Sequence, residues 1–272
     1  MKFLRTGVRI MLTIVVVVYV VLVMLAIFSD HLIFQPHAAG YDLNTMALSV
    51  RGAVQTFHVP CEEGALAAVY LPNPDARYTL LYSHGNGEDM GDDLTMLEEY
   101  RRAGFAVFAY DYNGYGRSEG RPSEAAVYRD VEAAFDFLTG TLHVPPERVI
   151  SFGHSLGAAA AIHLAASRTV AGLIAQSPFV SSFRVITRVQ VVPWDKFNNA
   201  RTIRSVHCPV LIAHGRRDEV IPFWHGERIY ELANEPKQSV WLEAGHNDAM
   251  VVARVSLIAA IQNFAGQLAA GT

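Results

Sequence analysis

The sequence predicts an α/β domain: a mostly parallel central sheet with an antiparallel N-terminal hairpin and helices on both faces, preceded by one transmembrane helix. Three observations predict it. Short, β-branched apolar runs alternate with helical patterns from about Leu48 onward. A serine flanked by glycines joins a strand-like run to a helix-like one in "VISFGHSLGAAAAIHLAAS", Val149 to Ser167. Near the N-terminus, "IMLTIVVVVYVVLVMLAIFS" runs from Ile10 to Ser29 without a charged residue.

The N-terminal run, as a helix rising about 1.5 Å per residue, spans roughly 30 Å, the thickness of a bilayer's hydrocarbon core. In lipid the backbone must satisfy its own hydrogen bonds, so a helix wins over the strand that so many valines would favour in water. Lys2, Arg5 and Arg9 precede the run and Asp30 follows it. The positive-inside rule then places the N-terminus in the cytoplasm and the rest on the non-cytoplasmic side, periplasmic in a bacterium. A cleaved signal peptide is the competing reading; the run is longer than an ordinary h-region and ends without a small-x-small cleavage site. The expected organisation is an N-terminal tip and anchor over 1–30, a juxtamembrane connector over 31–47, and one domain over 48–272 with a short cap around 180–208.

Within that domain the strand candidates are "VQTFHV", "LAAVYL", "YTLLYSH", "FAVFAYD", "RVISFGH", "AGLIAQS", "PVLIAHG" and "QSVWLEA". The first two are separated only by a turn at Glu63 and Gly64, which reads as an antiparallel hairpin. The later ones are separated by helices, which requires right-handed crossovers and a sheet buried on both faces. "SEAAVYRDVEAAFDFLTG" reads as a helix capped by Ser123 and stopped at Gly140, "DLTMLEEYRRAG" as one stopped at Gly104, and "DAMVVARVSLIAAIQNFAGQL" as a closing helix with Asp248 at its N-cap.

Composition excludes several classes. The 272-residue chain is 51% hydrophobic, carries a formal net charge of −4 and has no long basic block, which argues against nucleic acid. Its cysteines, Cys61 and Cys208, form no metal spacing or disulfide framework; they read as buried thiols, with a single bridge left open. None of the eleven histidines falls in a metal-binding motif, and no cofactor is called for.

The pattern Gly153-His154-Ser155-Leu156-Gly157 is G-x-S-x-G, placing Ser155 on a sharp strand-to-helix turn where larger flanking residues would collide. The helix N-terminus behind it adds partial positive charge where an oxyanion would form. A serine nucleophile needs a base, and the base an orienting acid. His246 follows the last strand and Asp218 the one before it, both at carboxyl ends where ligand chemistry gathers in such sheets. Ser155, His246 and Asp218 are therefore the candidate catalytic residues, with Glu219 and Asp248 as alternative acids. Leu156 and Asn86 are the candidate oxyanion donors through their backbone N–H groups, with Gly87 as the fallback to Asn86. Tyr115, Phe179, Phe183 and Trp194 are candidate walls of a substrate pocket, with Phe197 a further aromatic from the cap. Asp111 reads as a structural loop cap, His84 and His214 as hydrogen-bonded scaffold, His154 as packing beside the serine, and His163 as a core residue.

"SHGNG", "DYNGYGRSEG", "GHSLG", "SPF", "CPVLIAHGRRDEVIPFWHG" and "GHND" resemble the α/β-hydrolase superfamily of serine hydrolases, over a stretch from about Leu48 to the C-terminus. More closely, these motifs are similar to the membrane-associated branch containing protein depalmitoylases and bacterial relatives. That resemblance implies the α/β-hydrolase fold and the same roles for Ser155, Asp218, His246, Asn86 and Leu156. The branch is held at the cytosolic membrane face by an N-terminal cysteine cluster; here a transmembrane helix stands instead. The expectation is a membrane-anchored hydrolase of small acyl esters, thioesters or lipid-like substrates. A serine aminopeptidase of the same fold and a non-catalytic tethered binding protein are the alternatives.

Overall fold

The computed structural model of the chain describes residues 2–27, 30–37, 39–42, 54–188 and 195–270. Helix α1 spans Lys2–Ile27. Within it Thr6–Met24 has a mean hydropathy of 2.6 and is 0% buried, so it is long and apolar enough to cross a membrane. Residues 43–53, which include the expected start of the globular domain, lie outside the described residues.

All eight expected strands form, and they build one sheet: β1 Gln55–Cys61, β2 Gly64–Leu71, β3 Thr79–Ser83, β4 Ala106–Tyr110, β5 Val149–His154, β6 Gly172–Gln176, β7 Val210–Gly215 and β8 Lys237–Leu242, in the spatial order 1-2-4-3-5-6-7-8. The β1–β2 hairpin is antiparallel, and β2 also runs antiparallel to β4. Every later pairing is parallel. The chain reverses its direction of travel across the sheet around β3, so the carboxyl ends of β3 and β5 border a crevice where ligands bind in such folds.

Side-chain alternation splits the core in two. Leu81, Phe108 and Val149 face α3 (Glu124–Gly140), α4 (Leu156–Ser167) and α5 (Trp224–Leu232). Leu80, Ile150 and Phe152 face α2 (Met90–Arg102) and α6 (Arg254–Ala270) on the other side. Ala158 to Ala161 are fully buried, which is why α4 can lie so close to the sheet beneath the serine. Larger side chains there would overpack the interface, at a cost of about 1–3 kcal/mol each.

Two helix boundaries differ from the sequence expectation. Helix α2 begins three residues before "DLTMLEEYRRAG", because Asp89 caps it: Asp89 Oδ1 accepts the N–H groups of Gly91 and Asp92, and Asp92 Oδ2 accepts that of Asp89. Helix α3 runs from its Ser123 cap to Gly140, as expected, with Thr141 as the C-cap. The closing helix is broken at Ala253 into a short turn, Ala249–Val252, and α6. Asp248 stands at the N-cap position of that turn, but its side chain accepts Gly245 N–H at 2.7 Å and caps nothing. Both cysteines are free.

Candidate active site

The turn between β5 and α4 holds Ser155 at φ 54° and ψ −112°, a left-handed conformation costly for a residue with a Cβ. Its neighbours explain how the turn closes. A Cβ on Gly153 would strike the carbonyl of Gly157, and one on Gly157 would strike the carbonyl of Ser83 on β3. Glycine is required at both positions, and the strand, turn and helix lock one hydroxyl at the top of the sheet.

His246, on the loop after β8, places Nε2 3.0 Å from Ser155 Oγ. Its Nδ1 lies 2.8 Å from Asp218 Oδ2, on the loop after β7. A carboxylate accepts, so Nδ1 carries the proton and Nε2 presents its lone pair to the serine hydroxyl. Asp218 Oδ1 accepts the Val220 and Ile221 N–H groups at 3.0 and 2.7 Å. His214 Nε2 lies 2.9 Å from the Ile221 carbonyl, to which it donates, and stands 3.3 Å from Asp218 Oδ2. Burial alone would raise the Asp218 pKa, but His214, His246 and the backbone N–H groups outweigh it and hold the carboxyl well below the usual range. Asp218 is therefore ionised at neutral pH. Glu219, the alternative acid, is exposed, and Asp248 is engaged with Gly245.

Leu156 is the first residue of α4, so its N–H has no acceptor within the helix. Asn86 sits opposite, in the loop after β3, and both residues line the cleft that holds Ser155 and His246. The cleft has a volume of about 460 Å³, inside the range of roughly 300–1,000 Å³ common for small-molecule sites. Its apolar surface comes from Ile33, Leu156, Phe179, Val185, Val220 and Ile221.

Of the expected pocket aromatics, Phe179 lines this cleft. Tyr115 does not: it is fully buried behind the loop after β3, its hydroxyl donating to Asn86 Oδ1 at 2.5 Å. Phe183 is also off the cleft, on the turn Ser182–Thr187 whose neighbouring Ser182 and Val185 reach it. Phe197 is fully buried against Phe34 and Phe179 and is a core residue. Trp194 lies outside the described residues. Asp111 is a loop cap as expected, accepting Met90 N–H and Arg117 N–H. His163 is not in the core; it is half-buried, stacks on Tyr128 and pairs with Glu132.

Two contributors had no sequence signature. Glu88 Oε2 accepts the Gly85 N–H at 2.7 Å and lies 3.6 Å from His154 Nδ1, while His154 Nε2 donates to the His246 carbonyl at 3.1 Å. This pair links the loop carrying Asn86 to the loop carrying His246. An acidic residue just before a helix reads as an ordinary helix lead-in, which concealed Glu88. The other contributor is the segment after α1, which brings Ile33 and Gln35 to the cleft from about fifty residues upstream of Asn86.

The fold and the cluster at its carboxyl edge define a hydrolase of the α/β class. The chain belongs to the α/β-hydrolase superfamily, in the family of the alpha/beta hydrolase domain-containing proteins 17. It is 38% identical over 204 residues to protein 17B of Homo sapiens, covering 73% of this chain and 71% of that protein. It is 40% identical over 184 residues to aho-3 of Caenorhabditis elegans, covering 65% of this chain and 54% of that one, so it spans about half the length of that relative. The family described as "Serine aminopeptidase, S33" matches residues 74–199. Among solved structures, the esterase Pf2001 of Pyrococcus furiosus superposes with a TM-score of 0.70 at 16% identity, covering 86% of this chain and 96% of that one. Est1E of Butyrivibrio proteoclasticus, bound to ferulic acid, gives 0.65 at 18%, covering 79% and 99%. At such identities these two establish the fold.

Proposed function

We propose that the protein is a membrane-anchored serine hydrolase that cleaves acyl esters or thioesters. The observation that carries this reading is the contact of Ser155, His246 and Asp218 at 3.0 and 2.8 Å above one sheet edge. His246 Nε2 takes the Ser155 hydroxyl proton as Oγ attacks the acyl carbonyl, and Asp218 stabilises the resulting imidazolium. The Leu156 and Asn86 N–H groups receive the charge on the tetrahedral oxygen. Collapse expels an alcohol or thiol, which takes its proton from His246. Water, activated by the same imidazole, then releases the acid and restores Ser155. No step calls for a metal or organic cofactor.

The apolar cleft suits an acyl chain, and α1 would hold it beside lipid. Under the charge pattern around α1, the N-terminus is cytoplasmic and the domain lies across the membrane. A serine aminopeptidase remains the second reading, favoured by the family description over residues 74–199. Such an enzyme must bind a free ammonium group. Glu88 is the acidic residue among those lining the cleft, and it is already engaged by Gly85 and His154, so the ester reading is preferred.

The test is labelling of the full chain in detergent with a fluorophosphonate, alongside hydrolysis of matched ester and amide substrates. Labelling of the wild type that Ser155→Ala abolishes, with ester turnover exceeding amide turnover, is the expected result. An unlabelled wild type would leave a tethered binding protein as the better account.

A further inference from the structure

The segment leaving α1 would ordinarily be a free linker, but here its described residues are tied to the domain at several points. Asp30 pairs with Lys196. Phe34 is 5% exposed and packs edge-on against Phe197, with ring centroids 6.0 Å apart. The Ile33 carbonyl accepts Asn86 Nδ2 at 2.6 Å, and the Gln35 N–H is shared between Asn86 Oδ1 at 3.1 Å and the Tyr115 hydroxyl at 3.2 Å. Further along, the Tyr41 hydroxyl donates to buried Asp111, and Arg117 Nε donates to the Tyr41 carbonyl at 2.9 Å. Both ends of the Asn86 side-chain amide are thus fixed by this strap, and with them the setting of the Asn86 backbone.

The strap also completes the cleft, because Ile33 and Gln35 form part of its lining. Ile33 follows the end of α1 by six residues. An extended chain of that length reaches at most about 20 Å, so this wall stays near the end of the apolar helix whatever path the chain takes.

Resting on the serine-hydrolase reading, we propose that Ile33 is a specificity-determining residue that senses acyl-chain length, and that the strap carrying it positions the Asn86 loop for oxyanion stabilisation. Two separable effects follow. Enlarging Ile33 narrows the apolar trough it shares with Phe179 and Val185, which hinders long chains and leaves short ones alone. Removing the Gln35 N–H leaves Asn86 Oδ1 to the Tyr115 hydroxyl alone and cuts the strap's tie to that end of the amide, which weakens stabilisation of charge in the transition state for every chain length.

The experiment uses the full chain in detergent with p-nitrophenyl butyrate and p-nitrophenyl laurate, comparing Ile33→Trp, Gln35→Pro and Gln35→Ala with wild type. Ile33→Trp should lower kcat/KM for laurate by about tenfold or more and alter it for butyrate by less than about twofold. Gln35→Pro should lower kcat for butyrate by about tenfold relative to Gln35→Ala, which keeps the N–H while making the same loss of side chain from the cleft wall, with KM alike in the two variants. Equal losses on both esters for Ile33→Trp, or no change on either, would overturn the chain-length role. Identical behaviour of the two Gln35 variants would overturn the positioning role. Fluorophosphonate labelling in parallel separates the two levels: an unlabelled wild type defeats the serine reading, while normal labelling with unaltered chain selectivity defeats the strap proposal alone.

Discussion

His246 Nδ1 and Asp218 Oδ2 stand 2.8 Å apart, and the geometry allows only one arrangement of the proton between them. The imidazole donates, and the carboxylate, held ionised by His214, His246 and two backbone N–H groups, accepts. Asp218→Asn would preserve the shape while offering an amide that turns the imidazole toward the wrong tautomer. We expect kcat to fall by about ten-thousandfold, with KM nearly unchanged. Glu219→Gln, one residue away and exposed, should leave kcat within about twofold. Steady-state ester hydrolysis by the two variants distinguishes the acids.

Gly157 meets the backbone of β3 so closely that even one methyl group has nowhere to go, since the atoms in its way are the carbonyl groups of Ser83 and His84. Backbone cannot rotate aside as a side chain can. Gly157→Ala should destabilise the domain by about 1–3 kcal/mol and displace α4 with its Leu156 N–H. Thermal unfolding in detergent should show a lowered Tm, and labelling of Ser155 should slow. Gly266→Ala makes a control, because a Cβ there meets nothing within 4 Å.

Helix α1 offers a third test. A charged residue at the centre of a membrane-spanning helix costs about 2.5–3.5 kcal/mol for insertion. Val15→Arg with Val18→Arg should shift the protein from the carbonate-resistant membrane fraction to the extractable one. Val220→Arg, exposed on the globular domain, should not.

Much of this architecture was legible in residue patterns, and the reason differs by element. The strands were visible because each is a short β-branched run bounded by turn residues, and a buried parallel sheet needs just that. Ser155 was visible because steric demand writes glycine on both sides of it. The strap was not, because its ties run through the Ile33 carbonyl and the Gln35 N–H, atoms every residue type possesses. Tyr115 was misplaced for a related reason: an aromatic on a glycine-rich loop suits a pocket wall, yet its hydroxyl found Asn86 and turned the ring inward. The break at Ala253 left no mark either, since "MVVARVSL" keeps helical spacing straight across it.

The Glu88–His154 pair gives the last prediction a pH signature. Burial alone would raise the Glu88 pKa, but His154 and the Gly85 N–H override it and bring the carboxyl down to about 2. For His154, burial alone would lower the pKa, and the hydrogen bond and charge of Glu88 raise it. An acid with a depressed pKa contributes stability above its unfolded value of about 4.3, lost as pH falls through its folded one. A histidine with a raised pKa contributes fully below about 6.5, and that contribution is lost as pH rises through its folded value. The pair is therefore worth most between about pH 4.5 and 6.5. Glu88→Gln should cost about 1–3 kcal/mol in that window. The difference from wild type should shrink on acidification toward pH 2 and again at alkaline pH. Thermal unfolding of both proteins across the pH range measures it, and a difference that stays flat with pH would show that Glu88 acts by packing rather than by charge.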